Sequence, residues 1–201
     1  MSLRQRLSLA AASFAFAAAG AIAQQPYKLL SPPQPTESGG KIEVTEFFWY
    51  GCPHCYALEP NVAAWSKKTP PDVVFKRVHA LPSDSWAEHA RIFYTLESMN
   101  KLEEMHQKVF DAIHKQNINL ANKKLREEWL AKNGIDPAKY AEVEKSFTVA
   151  TKMNRAKQLT YAYKVDSVPR LYVNGKYQIT MEAAGSIDRV FQIVDQVVGI
   201  A

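Results

Sequence analysis

The hydrophobic positions of the chain change period several times, and each change marks an element. An apolar run from Leu7 to Ala19, continued by Ala21-Ile22-Ala23, has no polar face. Lys41 to Phe48 reads as a strand with Ile42, Val44, Phe47 and Phe48 buried. Gly51 ends it, and Pro53 suits the first position of a helix, where its missing N–H costs nothing. That helix is expected to reach about Lys68, with Pro60 as a kink or break. Val73 to His79 returns to the strand pattern. Strand, helix and strand in this order make one βαβ unit.

From Ser83 the period becomes helical and stays so for about seventy residues. Ser83-Asp84 precede a capped helix carrying Trp86, Ile92, Phe93, Leu96 and Met99. Leu102, Met105, Val109, Phe110 and Ile113 mark a second helix. Leu125, Trp129 and Leu130 mark a third, closed by Asn133-Gly134. Asp136-Pro137 opens a fourth with Tyr140, Val143 and Phe147, and a fifth runs from Val149 to Tyr163. Strands return at Arg170–Val173 and Lys176–Thr180, joined by Asn174-Gly175, a hairpin signal. Gly185 to Val198 closes the chain as an amphipathic helix through Ile187, Val190, Phe191, Val194 and Val197. The fold class is α/β with a helical insertion.

Composition changes the picture chiefly at the N-terminus. Arg4 and Arg6, the apolar run and a small-x-small site describe a secretory signal peptide over residues 1–23. Removing it from 201 residues leaves 178, enough for one core or a small domain with an insertion. The net charge of +5 falls to about +3 without Arg4 and Arg6. The remaining cations are mixed with acids, which argues against nucleic acid. Residues 24–40 hold Pro26, Pro32, Pro33 and Pro35 and read as an extended, poorly packed lead-in.

The chemistry gathers at Cys52-Pro53-His54-Cys55, the only two cysteines. Cys52 stands where a strand becomes a helix N-terminus, so unpaired N–H groups and the helix dipole favour its thiolate. Cys55 lies one turn later on the same face. This reads as a redox-active pair. A stapling disulfide is the weaker reading, because so short a ring restricts the unfolded chain little. A structural zinc lacks a second cysteine pair or a histidine pair at finger spacing. Glu46 is an anomaly in an apolar strand: either a solvent-facing edge position, or a buried charge that needs a partner and whose pKa rises. Val168-Pro169 stands at the entrance to a strand, where a proline is permitted.

Glu46-Phe47-Phe48, Cys52-Pro53-His54-Cys55, Lys76, Val168-Pro169 and Val173-Asn174-Gly175-Lys176-Tyr177 together resemble the thioredoxin superfamily. Within it they resemble the DsbA family of periplasmic disulfide oxidoreductases. The resemblance covers nearly the whole chain after residue 23 and implies a thioredoxin fold with an inserted all-helical domain. Its halves would be residues 41–80 and 157–201, the insertion 81–156. It implies that Cys52 is the nucleophile, Cys55 the buried partner, and that His54 stabilises the Cys52 thiolate. It makes Val168-Pro169 the cis-proline loop that binds substrate, and places Pro53 and a buried Glu46–Lys76 pair behind the cysteines, with Arg77 as the alternative to Lys76. It implies a periplasmic monomer without metal or cofactor, reduced unfolded exported proteins as partners, and a quinone-linked inner-membrane re-oxidant of the DsbB type.

Three other functions compete. A disulfide isomerase or reductase of this superfamily usually carries a dimerisation domain, for which residues 24–40 are too short. A kappa-type glutathione transferase shares the inserted helices but not the export signal or second cysteine. A binding module would use an apolar groove near Trp49 and Tyr50 and would survive loss of both cysteines.

Overall fold

The computed structural model describes residues 25–201, so the expected signal peptide lies outside the described residues. Five strands form one sheet: β1 (Lys28–Leu29), β2 (Ile42–Phe48), β3 (Val73–His79), β4 (Arg170–Val173) and β5 (Tyr177–Thr180). Their order is β1-β5-β4-β2-β3. β2 and β3 are parallel and joined through α1 (Pro53–Ser66), while β4 is antiparallel to β2 and to β5. The β4–β5 turn has positive φ at Asn174 (52°) and Gly175 (64°), the backbone that an Asn-Gly hairpin supplies.

The strand period of two divides β2 between the two faces of the sheet. Val44, Glu46 and Phe48 point to one, Glu43, Thr45 and Phe47 to the other. On the first, Val44, Leu171 and Val173 pack with Leu58 and Val62 of α1. Val190, Phe191, Val194 and Val197 of α8 (Ile187–Val198) complete this core. On the second, Phe47 meets Tyr163 and Tyr172 at ring distances of 5.1 and 5.5 Å.

Between β3 and β4 the chain forms a 3₁₀ turn at Asp84–Trp86 and then five helices. These are α2 (Ala87–Ser98), α3 (Leu102–His114), α4 (Lys123–Lys132), α5 (Pro137–Glu144) and α6 (Phe147–Ala162). This is the all-helical insertion the sequence pattern calls for. It shares one hydrophobic cluster with the carboxyl end of β2, and Cys52 and Cys55 belong to that cluster. Phe48 is its hub, with the Tyr50, His79, Phe93 and His106 rings 5.1–5.2 Å away. Among the described residues, no helix is long and apolar enough to cross a membrane.

Several expectations are corrected. Residues 25–40 are extended and mostly exposed, but they are tied to the sheet: β1 pairs with β5, Leu30 is buried, and the Gln34 N–H donates to Gly175 O at 2.8 Å. The prolines keep this segment extended, and an extended segment is what a sheet edge accepts. Pro60 lies inside α1, which runs on without a break to Ser66. Phe147 does not close the fourth helix but opens α6, and it is 86 % exposed. Ser146 caps α6 by accepting from the Val149 N–H, which fixes that start. A short helix, α7 (Met181–Ala184), precedes α8 and ends at Gly185 with φ 78°.

Candidate active site

The cysteines lie at the carboxyl end of β2, the edge where α/β sheets place their chemistry. Trp49-Tyr50-Gly51 turns the chain from β2 into α1. Trp49 stacks on Trp86 at 4.4 Å and 11°, which fixes its indole over the turn. A Cβ at Gly51 would lie 2.3 Å from a carbon of that indole, so only glycine fits. Cys52 is the N-cap of α1 with extended backbone (φ −89°, ψ 117°), and Pro53 is its first residue.

Cys52 Sγ accepts the Cys55 N–H at 3.3 Å and faces Val168 O at 3.4 Å. Val168–Pro169 is a cis peptide directly before β4, and the Val168 carbonyl lies across from Cys52. The Cys52 pKa is lowered from 9.0 to about 6. The neighbouring Cys55 thiol contributes most; burial opposes it; the backbone N–H groups of Cys55 and His54 and then the His54 imidazole add to it. The His54 imidazole thus contributes less than the Cys55 thiol and the backbone N–H groups. Cys55 is 1 % exposed, and burial, the Cys52 sulfur and Glu46 push its thiol far above the ordinary value. One sulfur is thus stable as an anion, the other only as a thiol.

Glu46 is buried, not an edge position, with 1 % exposure. Burial raises its pKa from 4.5 to about 8, against the attraction of Arg77 and with the help of Glu59 and Cys52. The expected Glu46–Lys76 pair does not form. Parallel register sets Glu46 opposite Arg77 and Thr45 opposite Lys76, and neighbours along a strand point to opposite faces. Lys76 pairs instead with Glu43, at 2.7 Å. Arg77 takes the role: its Nε lies 3.6 Å from Glu46 and its Nη2 2.8 Å from Glu59 of α1. Tyr50 is fully buried, so no groove is lined by it. Its hydroxyl lies 2.8 Å from His106 Nδ1, and its carbonyl accepts from His114 Nε2 at 2.8 Å.

Glu59 and His106 went unread in the sequence, yet both left a signal. Cys55, Glu59 and Val62 follow at i, i+4 and i+7, which puts a carboxylate on the buried stripe of α1. His106 stands four residues before Phe110 on the apolar face of α3.

The family model described as a DSBA-like thioredoxin domain matches residues 72–197. The thiol:disulfide interchange protein DsbA of Pseudomonas aeruginosa is 43 % identical over 172 residues, 86 % of this chain and 82 % of that protein. A match of that length within 201 residues necessarily spans Cys52 and Cys55. The DsbA of Azotobacter vinelandii is 43 % identical, covering 82 % of this chain and 77 % of its own. Among solved structures, Pseudomonas aeruginosa DsbA superposes with a TM-score of 0.82 at 42 % identity, over 87 % of this chain and 91 % of the other. The DsbA of Xylella fastidiosa gives 0.78 at 25 % identity, over 86 % and 93 %.

Proposed function

The chain belongs to the DsbA family and is a thiol:disulfide oxidoreductase, and from that premise we propose how its residues carry the reaction. A reduced substrate thiolate attacks Cys52 Sγ of the Cys52–Cys55 disulfide. The new bond joins substrate and Cys52, and Cys55 leaves with the electron pair. Glu46, an acid at neutral pH, supplies the proton that Cys55 needs. A second substrate thiolate then attacks the substrate sulfur, and Cys52 leaves as a thiolate. The substrate gains a disulfide and the enzyme holds two more electrons: Cys55 carries the proton from Glu46, Cys52 is a thiolate, and Glu46 is left as a carboxylate that regains its proton from water.

The observation that carries this reading is the unequal pair: Cys52 ionises near 6 while Cys55 stays a thiol. A leaving group of low pKa departs fast, which favours donation of the disulfide over its retention. Val168, facing Cys52, offers backbone groups to an extended substrate beside Pro169. Pro53 starts the helix that holds Cys52, and His54 adds to the thiolate's support. Residues 41–80 and 157–201 serve as the thioredoxin domain, with 81–156 inserted.

Family membership implies export to the periplasm, reduced exported proteins as substrates, and re-oxidation by a quinone-linked inner-membrane protein of the DsbB type. The chain works as a monomer. The test is equilibration of the purified protein with glutathione redox buffers, followed by oxidation of a reduced two-cysteine peptide. An oxidising potential, far above that of a structural disulfide, with stoichiometric peptide oxidation is expected. A potential below about −300 mV, the range of structural disulfides, would refute the oxidase reading.

A further inference from the structure

Behind the cysteines, a cleft of about 930 Å³ separates α1 and β3 from α3, and Glu59, Arg77 and His106 line it. His106 is the histidine that the insertion contributes to this cleft, and it is 5 % exposed. Its Nε2 lies 3.3 Å from Glu59 Oε2, while Glu59 Oε1 accepts from Arg77 Nη2 at 2.8 Å. A carboxylate offers only lone pairs, so the nitrogen facing it carries the hydrogen. Nδ1 is then bare and accepts the Tyr50 hydroxyl hydrogen, whose phenol burial keeps protonated. Both contacts agree on one tautomer.

Arg77 is shared unequally as a result. It hydrogen-bonds Glu59 and stands 3.6 Å from Glu46 without hydrogen-bonding it. Glu46 Oε2 and Arg77 Nε are buried without a hydrogen-bond partner, and His106 Nε2 meets Glu59 Oε2 through a 3.3 Å polar contact that is not an aligned hydrogen bond.

We propose that His106 is a positioning residue for the redox reaction: it holds the Glu59 carboxylate on Arg77 and so keeps the guanidinium turned from Glu46. The inference rests on Glu46 as the proton donor to Cys55. With Glu59 released, Arg77 turns to Glu46, and an opposite charge in contact favours the carboxylate there. Glu46 then loses its proton at lower pH and becomes a poorer acid. The charged and titratable groups around His106 are Glu59 on α1, Arg77 and His79 on β3, Tyr50 after β2 and Glu103 on its own helix. Around Glu46 they are Arg77, Glu59, Cys52 and Cys55.

Two substitutions separate the contacts, because Asn reaches only to the Nδ1 position and Gln to the Nε2 position. His106→Asn keeps an acceptor for Tyr50 and loses Glu59. His106→Gln keeps a donor to Glu59 and loses Tyr50. In the purified reduced protein, a carbon NMR titration of the glutamate carboxyls follows Glu46, assigned by its disappearance in Glu46→Gln. His106→Asn is expected to lower the Glu46 midpoint by about one pH unit. His106→Gln should leave it in place. Reduction of the enzyme disulfide by thiol at pH 8 should slow about fivefold in His106→Asn, the loss in protonated Glu46 that one unit implies. If His106→Gln lowers the midpoint and His106→Asn does not, Tyr50 is the partner that matters and the proposal fails. If neither moves it while both lower the melting temperature, His106 is structural and the proposal fails. If Glu46 titrates near 8 and Glu46→Gln leaves the rate unchanged, the donor reading of Glu46 fails instead.

Discussion

Glu46 of β2 and Arg77 of β3 are direct neighbours in parallel register, yet their charged groups stay 3.6 Å apart because Glu59 takes the closer hydrogen bond. Burial thereby outweighs attraction at Glu46, and its pKa lies near 8. One buried cation serves two buried carboxyl groups, so one of them is available as an acid.

Glu46→Gln should stabilise the protein and slow it. A carboxyl group with a raised folded pKa contributes its full share of stability below the unfolded value of 4.5 and loses it as pH rises through about 8. Denaturant melts should show Glu46→Gln more stable by roughly 1–3 kcal/mol at pH 8. The difference should vanish near pH 4. Mixed-disulfide formation by the variant, followed by stopped flow, should be slower at pH 7. Equal stability at pH 8 would mean that Glu46 is solvated.

The two adjacent cations should differ sharply. Arg77→Met leaves Glu46 and Glu59 buried without their shared cation and should cost about 3–5 kcal/mol. Lys76→Met removes a partly exposed partner of Glu43, which keeps the Thr45 hydroxyl and the Glu37 N–H. Its cost should be smaller, about 1–2 kcal/mol, because Lys76 is partly exposed and the buried Glu43 keeps two hydrogen bonds. Urea melts of both at pH 7 decide; equal losses would contradict the face assignment.

Cys55→Ser removes the resolving thiol and leaves the Cys52 nucleophile. Mixed disulfides with reduced substrate should accumulate as reductant-sensitive bands on non-reducing gels. Cys52→Ser should form none at substoichiometric thiol, because burial holds Cys55 as an inaccessible thiol. Adducts on Cys55 instead would reverse the assignment of the two sulfurs.

The reduced protein should be more stable than the oxidised one at neutral pH, contrary to an ordinary cross-link. DsbA is itself the reference example of a low-pKa cysteine with a stabilised reduced form, so the direction is that of the family. A thiol whose folded pKa is depressed contributes stability that is complete above the unfolded value of 9.0 and is lost as pH falls through about 6. The oxidised protein has no such thiolate. The gap between the two melts should therefore shrink from pH 8 to pH 5. His54→Ala should narrow it only slightly, because the imidazole is the smallest of the contributions at Cys52. A gap that is independent of pH would remove thiolate stabilisation as its cause.

Local features carried much of this. The strand period placed β2 and β3, Val73–His79 matching in full, because hydrophobic burial on a pleated strand is written residue by residue. The helix start at Cys52-Pro53 was equally legible, since capping and proline placement depend on a few adjacent residues. So was the Asn174-Gly175 turn, which needs positive φ at two consecutive positions. What tertiary structure alone decided was partnership. Lys76 and Arg77 are both basic residues of one strand, and only the parallel register with β2 turned Arg77 toward Glu46. The docking of residues 28–30 on β5 depended on an edge some 150 residues away, which a proline-rich composition does not announce. Glu59 and His106 come from helices separated by β3 and α2, and neither spacing nor period links them. Their 3.3 Å contact exists because the insertion folds back over the end of β2, and a long-range approach of that kind is set by packing rather than by local sequence.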